Sequence, residues 1–333
     1  MKRAMKVSVI ICTYNRAETL RDMIGSLESV IVPENISWEV IVVDNNSNDS
    51  TRELIASLRS NAALPLSYVF ERQQGRSFAL NAGIQVAGGD ILAFTDDDVT
   101  IDPHWLLALT KTFKEFACLG IGGRILPVWP CAKPAWLSTD GAFRIVGPIV
   151  YFGLNDTSPR ILKGSPMGAN MAFRRRAFER YGLFRVDLGR KGRDGRRLGG
   201  GGEDTDFGLR LYRAGETLMY APDALVYHPV EQHRITKKYI TAWFYNCGKE
   251  LTKINGIPGE SVCYFGIPRY HFRKLAETFL KAAMSYHDPQ ERFCYITRCY
   301  QTAGEIAESF RMWRDDEQTT APTSQDRLPP RVV

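Results

Sequence analysis

Apolar residues follow two rhythms along this chain. Residues 7–13 (VSVIICT) are almost continuously apolar, which predicts a strand covered on both faces of a parallel sheet. Leu20, Met23, Ile24, Leu27 and Val30 then recur at helical spacing. The pair repeats. A strand over 39–43 ends at Asp44, the turn-rich NNSNDS follows, and Ser50-x-x-Glu53 reads as a capping box for a helix carrying Leu54, Ile55 and Leu58. A strand over 66–70 leads into a short helix stopped by Gly88 and Gly89. A fourth strand (Ile91, Leu92, Ala93, Phe94) precedes Asp102-Pro103, which reads as the start of a helix to about Phe116. This alternation predicts a doubly wound α/β half-domain.

Farther on, 118–127 reads as a strand, while 128–164 is punctuated by Pro and Gly and resists assignment. Residues 164–184 read as a loop, a strand and a short basic helix. The stretch 189–215 opens with glycine and arginine and continues as a helix headed by Glu203 and Asp204, for which capping is one sufficient explanation. One more strand, 224–227, ends at His228-Pro229. After Val230 helical segments dominate (237–251, 269–286, 290–312), rich in aromatics and bases. The expected organisation is an α/β domain over 1–230, with halves 1–125 and 126–230, a helical appendage over 231–314 and a disordered tail over 315–333.

An apolar content of 44 % and 17 prolines fit a globular chain. The net charge of +6 is unevenly placed: residues 172–213 hold twelve Lys/Arg against six Asp/Glu. That window argues for an anionic ligand or an anionic membrane surface nearby. No nucleic-acid recognition motif is present. Seven scattered cysteines without a CxxC suit a reducing compartment. The first apolar run is too short for a secretory signal, and no stretch reaches the roughly 20 apolar residues of a membrane span. A cytoplasmic location is expected.

The densest chemistry lies at the end of the fourth strand, where Asp96, Asp97 and Asp98 stand together. In an open α/β sheet ligands bind outside the carboxyl ends of strands. Adjacent carboxylates there resist ionising together unless a cation neutralises them. Alternation along a strand lets Asp96 and Asp98 converge while Asp97 faces away. Hard oxygen ligands of this kind suit Mg²⁺ or Mn²⁺ completed by substrate phosphates. An acidic surface turn is the plainer alternative. The chain has neither the glycine fingerprint of a dinucleotide fold nor a Walker A sequence, so a phosphate must be held another way.

With these residues laid out, the chain resembles family 2 glycosyltransferases of the GT-A fold. The resemblance spans about 7–230 and rests on VSVIICTYNR, VIVVDNNSNDST, GRSFALNAGI, GDILAFTDDDV, GANMAFRR, GEDTDFGLRLYRAG and LVYHPV in that order. It implies a mixed, mainly parallel sheet flanked by helices, and an inverting, non-processive enzyme that moves one sugar from a nucleotide sugar to an acceptor hydroxyl. Thr13, Tyr14 and Arg16 would line the nucleotide pocket, and Asp44 would accept from the base edge, which fits the uracil imide of a UDP-sugar. Arg76 would sit near the diphosphate. Asp96 and Asp98 match the metal-binding DXD element, with Asp97 toward ribose or sugar. His228 would add a metal or phosphate contact, or is a strand-end histidine with no ligand. Asp204, paired with Glu203, matches the catalytic base, and Gly168, Ala169 and Asn170 would border sugar and acceptor.

Arg193, Arg196 and Arg197 read either as a lid over the diphosphate or as a solvated linker. The Gln-x-x-Arg-Trp of processive members is absent, since Trp243 follows Ile240, Thr241 and Ala242. The acceptor would be a glycan or lipid-linked sugar of envelope or exopolysaccharide assembly. The bases and aromatics of the appendage (Lys237, Lys238, Trp243, Phe244, Tyr245, Arg269, Tyr270, Phe272, Arg273, Lys274) would seat the enzyme on the inner face of an anionic membrane, or serve packing and dimerisation. A sugar-phosphate nucleotidyltransferase and a non-catalytic nucleotide- or sugar-binding module are the alternatives.

Overall fold

The computed structural model describes residues 5–61, 64–153, 157–189 and 201–320. The chain divides into two compact units, Met1–Ile240 and Thr241–Val333.

In the first unit the strand–helix alternation is β1 (Met5–Thr13), α1 (Ala17–Leu27), β2 (Ile36–Asp44), α2 (Thr51–Asn61), β3 (Leu66–Phe70), α3 (Arg76–Val86) and β4 (Ile91–Asp96). There follow β5 (Thr100–Ile101), α4 (Trp105–Glu115), β6 (Gly120–Val128), β7 (Arg160–Ile161), β8 (Asn170–Arg174), α5 (Arg175–Tyr181), α6 (Glu203–Arg213) and β9 (Leu218–Pro229). The nine strands form one sheet in the order β3-β2-β1-β4-β8-β6-β9-β5, with β7 also paired to β9. β1 is parallel to β2 and β4, β2 to β3, and β6 to β9. β8 runs antiparallel to both of its neighbours. The carboxyl ends of β1, β2, β4, β6 and β9 therefore lie along one edge of the sheet, and β8 contributes its amino end there.

The unbroken apolar strands have the physical cause expected of them. Val7, Val9 and Ile11 pack on one face with Leu20, Met23, Leu54 and Trp105. Ile10 faces the other side with Leu80, Phe94, Phe173 and Phe207. α3 approaches β1 so closely that a Cβ on Gly83 would lie 2.5 Å from Ile10 Cγ2, so a side chain there would push helix from sheet. On the same face Phe178 stacks on Phe207 at 4.5 Å between ring centroids, and Phe173 meets Phe207 edge-on at 4.9 Å. These rings fix α5 and α6 against the sheet, so the first turn of α6 is held by core packing.

Two local expectations are corrected. The start of α2 is capped by Asp49, whose Oδ1 accepts from Thr51 N at 3.1 Å, and not by a Ser50/Glu53 box. Asp49 Oδ2 also accepts from Ala17 N at 3.1 Å, so one carboxylate serves two helix starts. α4 begins at Trp105, beyond Asp102-Pro103, and Asp102 Oδ1 accepts from His104 N at 2.9 Å in the turn before it.

The chain continues through α7 (Lys237–Asn255), the hairpin β10 (Cys263–Tyr264) and β11 (Ile267–Pro268), α8 (Arg269–Met284) and α9 (Pro289–Thr320). α9 carries helix past Asp315, where the tail was expected to begin. Trp243, Phe244 and Tyr245 on α7 are half-buried. The more exposed apolar side chains belong to α8, with Phe279 at 64 %, Leu280 at 60 % and Met284 at 78 % exposure. Among the described residues no helix is long and apolar enough to cross a membrane.

Candidate active site

The acidic stretch closes β4 at Asp96, and Asp97 and Asp98 lie in the turn that follows. Asp96 and Asp98 do converge, through the turn and not through strand alternation. Asp96 Oδ2 lies 4.0 Å and Asp98 Oδ1 3.5 Å from His228 Nε2, contributed by the end of β9. Ligand atoms of these three residues lie within 4.8 Å of one another. The outer oxygens are held by arginines: Arg76 Nη2 donates to Asp96 Oδ1 at 2.6 Å, and Arg16 Nη1 donates to Asp98 Oδ2 at 2.7 Å. The inner oxygens are thereby turned toward the histidine. His228 Nδ1 lies 2.8 Å from the carbonyl oxygen of Pro229, which can only accept, so Nδ1 carries a proton. Nε2 is the ring nitrogen that faces the two carboxylates.

Asp98 Oδ1 is buried and has no hydrogen-bond partner. An orphaned carboxylate oxygen is costly in protein. Two carboxylates and an imidazole nitrogen at this spacing are donors of the kind a divalent cation takes, so the residues fit a metal. Asp97 takes the other direction and is buried, with Arg16 Nη1 3.2 Å from its Oδ1. Burial pushes its carboxyl up to about 6; Arg16 opposes the rise and Asp98 adds to it. Burial would lower the Arg16 guanidinium, but Asp97 and Asp98 outweigh it and hold the cation.

The second part of the site is built around Arg76, at the start of α3. Besides Asp96, its Nη2 donates to Gly168 O at 3.2 Å, and its Nε lies 3.5 Å from Glu203 Oε1. Gly168 N in turn donates to Asp204 Oδ2 at 2.8 Å. Asp204 Oδ1 accepts from Thr205 N at 2.6 Å, which is the capping role its place in the first turn of α6 suggested. Glu203 is 1 % exposed and faces inward. The structure thus joins Arg76, Asp96, Glu203, Gly168 and Asp204 in one network.

Thr13 at the end of β1 is buried, and Tyr14 and Arg16 are half-buried. Asp44, beside Thr13 in the sheet, accepts from Ser47 N and from Tyr68 OH, each at 2.9 Å. Burial and that bond push the Tyr68 phenol up to about 12. Two residues passed over in the sequence organise this corner. Asn45 donates through Nδ2 to Gln73 O at 2.7 Å and accepts from Gly75 N at 2.8 Å. Asn15, at φ 53°, accepts from Asn48 N at 2.8 Å. A turn-rich composition hinted at both, but their partners lie on loops distant in sequence.

Other expectations are revised. Asn170 does not border the site. It is fully buried, accepts from Trp105 Nε1 at 2.9 Å, and donates to Arg124 O and Ala224 O at 2.8 Å each. Ala169 is buried as well. Within the basic window, Arg174 donates to Cys118 O and Phe113 O, and Arg175 to Gly89 O and Ala87 O. Arg210 bridges Asp206 Oδ2 at 2.9 Å and Leu183 O. These cations tie backbone ends together, so their charge is no evidence of an anionic ligand. Arg193, Arg196 and Arg197 lie outside the described residues.

The sequence profile of glycosyl transferase family 2 matches residues 8–182. The chain belongs to this family. It is a glycosyltransferase with a GT-A sheet. The succinoglycan biosynthesis protein ExoM of Rhizobium meliloti is 29 % identical over 246 residues, 74 % of each chain. The glucosyl-dolichyl phosphate glucuronosyltransferase of Haloferax volcanii is 27 % identical over 233 residues, covering 69 % of this chain and 71 % of that one. Among solved structures, the mannosyltransferase PcManGT of Pyrobaculum calidifontis, in complex with GDP-Man and Mn²⁺, superposes with a TM-score of 0.53 at 19 % identity, covering 95 % of this chain and 76 % of that one. GalNAc-T7 with UDP, GalNAc and Mn²⁺ gives 0.58 at 16 % identity, covering 100 % and 60 %. At these identities the structures speak for the fold.

Proposed function

We propose that this glycosyltransferase moves a single sugar from a UDP-sugar to an acceptor hydroxyl with inversion, using Asp204 as base and Asp96, Asp98 and His228 to hold Mg²⁺ or Mn²⁺. The observation that carries this reading is the direct hydrogen-bonded link from Asp96 through Arg76 and Gly168 to Asp204. It places the acid brought in by α6 beside the acids that close β4. We assign the transfer chemistry to residues 1–230, with 1–125 serving the donor and 126–230 the acceptor.

Asp204 accepts the proton of the acceptor hydroxyl as that oxygen forms its bond to the anomeric carbon and the bond from that carbon to the diphosphate breaks. Attack from the face opposite the leaving group inverts the centre. A divalent cation held by Asp96, Asp98 and His228 would supply positive charge against the diphosphate as it leaves, an effect worth several kcal/mol. Thr13, Tyr14, Arg16 and Asp97 line the nucleotide side. The Asp44 carboxylate, oriented by Tyr68 and Ser47, offers an acceptor suited to the uracil imide.

The test is Asp204→Asn, assayed as UDP release with Mn²⁺ and a panel of UDP-sugars and acceptors. Transfer should fall by about 10²–10⁴-fold while metal-dependent UDP binding persists. A variant near the wild-type rate would remove Asp204 from the role. Pyrophosphate release from UTP and a sugar phosphate would support a nucleotidyltransferase instead, and UDP binding without turnover a binding module.

Two features support a glycan or lipid-linked acceptor in polysaccharide assembly, met at an anionic membrane from the cytoplasmic side. One is the biosynthetic role printed for the ExoM relative. The other is the outer face of α8, where exposed Phe272, Phe279, Leu280 and Met284 stand among Arg269, Arg273 and Lys281. Leu280→Ser with Met284→Ser should lower co-sedimentation with phosphatidylglycerol vesicles about tenfold or more. Equal sedimentation of variant and wild type would exclude α8.

A further inference from the structure

We propose that Gly168 is a positioning residue, whose peptide fastens the Asp204 carboxylate on one side and the Arg76 guanidinium on the other. This rests on the reading of Asp204 as the base. The peptide N–H donates to Asp204 Oδ2 at 2.8 Å, and the carbonyl accepts from Arg76 Nη2 at 3.2 Å. The same Nη2 reaches Asp96 Oδ1 at 2.6 Å. The two peptide groups that flank the Gly168 α-carbon therefore set the separation between the acid that receives a proton and the acid that faces the leaving group.

Space, not backbone conformation, explains the glycine. Gly168 is not among the residues with positive φ, so its backbone accepts an alanine. A Cβ there would stand 3.0 Å from Asp204 Oδ2 and 3.0 and 3.1 Å from the two Arg76 Nη atoms. Both contacts are tighter than a side chain ordinarily tolerates, and they fall on the two groups the peptide holds. The segment cannot slide away to relieve them. Thr95 Oγ1 donates to Ala169 O at 2.9 Å, Asn170 pairs with Thr95 in the sheet, and the Asn170 side chain is wedged among Trp105, Arg124 and Ala224. The methyl must displace the carboxylate, the guanidinium or both.

The experiment compares Gly168→Ala and Arg76→Lys with the full-length wild type. It measures kcat and donor KM for transfer, UDP affinity with Mn²⁺ by calorimetry, and thermal unfolding. Misplacing a reacting group by a fraction of an ångström to 1 Å costs about 10–100-fold. Gly168→Ala should therefore lose about that much kcat, with donor KM and UDP affinity within about threefold and unfolding nearly unchanged. Lysine keeps the charge of Arg76 but not the planar fork that meets Asp96 and Gly168 O through Nη2 while its Nε faces Glu203. Arg76→Lys should show the same kcat loss, and the double variant little more than either alone. A Gly168→Ala enzyme within twofold of wild-type kcat, or one whose whole loss lies in donor KM, overturns the positioning role. Loss of activity in Asp204→Asn beside a normal Gly168→Ala would sink this proposal alone. An unimpaired Asp204→Asn would sink the base assignment and the proposal together.

Discussion

Replacing Asp98 with asparagine tests the metal assignment with two opposed readouts. The Asp98 side chain is 7 % exposed, with one oxygen 2.7 Å from Arg16 and the other without a partner, 3.5 Å from His228 Nε2. Asparagine keeps the shape and leaves an oxygen for Arg16, but removes the charge. A carboxylate and a divalent cation 4 Å apart attract by about 8 kcal/mol at an effective dielectric near 20. The amide oxygen and water recover the larger part of this, so a loss of about 3 kcal/mol is expected, on the order of 100-fold in cation affinity. The fold should hardly notice. Arg16 retains Asp97 at 3.2 Å, so no buried cation is stranded, and two adjacent acids cease to repel. Metal-free unfolding should move by less than about 1 kcal/mol. At a concentration of Mn²⁺ about 100 times the wild-type dissociation constant, linkage stabilises the wild type by about 2.7 kcal/mol and the variant by about 0.4. Chemical denaturation with EDTA and then with Mn²⁺ reads both numbers. If the variant gains the wild-type increment, the cation is held elsewhere; if it collapses in EDTA, Asp98 is structural.

The same geometry yields two further expectations. Asn170→Ala strips partners from Trp105 Nε1 and from two buried carbonyls, and should cost about 3 kcal/mol in a urea titration; a loss below about 1 kcal/mol would return Asn170 to the site. Glu39 is drawn upward by burial but held below its ordinary 4.5 by bonds from Ser8, Lys6 and Gly88, so its contribution is present above that pH and lost as pH falls. Glu39→Gln should be less stable than wild type by about 1 kcal/mol at pH 7, with the difference closing below about pH 4.

Much of the architecture from β1 to β4 was legible because it is written in local pattern. Unbroken apolar runs marked β1 and β4, since strands covered on both faces have no polar side to show. The convergence of Asp96, Asp98 and His228 followed from motif order, but its route did not: Asp98 arrives through a turn whose shape depends on Arg16. Part of the basic window's charge has a similar explanation. Arg174 and Arg175 meet carbonyls at the ends of α4 and α3, partners that composition cannot reveal. Asn170 was expected to border sugar and acceptor because it closes the Gly-Ala-Asn of a family motif, while its partners Trp105 and Ala224 are more than fifty residues away on either side.

β8 runs against its neighbours, and this has a consequence for how such an enzyme can change. Five residues, paired Thr95 to Asn170 and Ile91 to Arg174, fix how far the Gly168 peptide stands from Asp96. Slipping that ladder by one position would swap its two faces and carry the peptide off its mark. Before it, Phe152 is tied to the sheet by a bridge to Ile125, and residues 129–146 form no strand. Length and composition can change over 129–146 while the pairing that holds Gly168 beside Asp96 stays as it was.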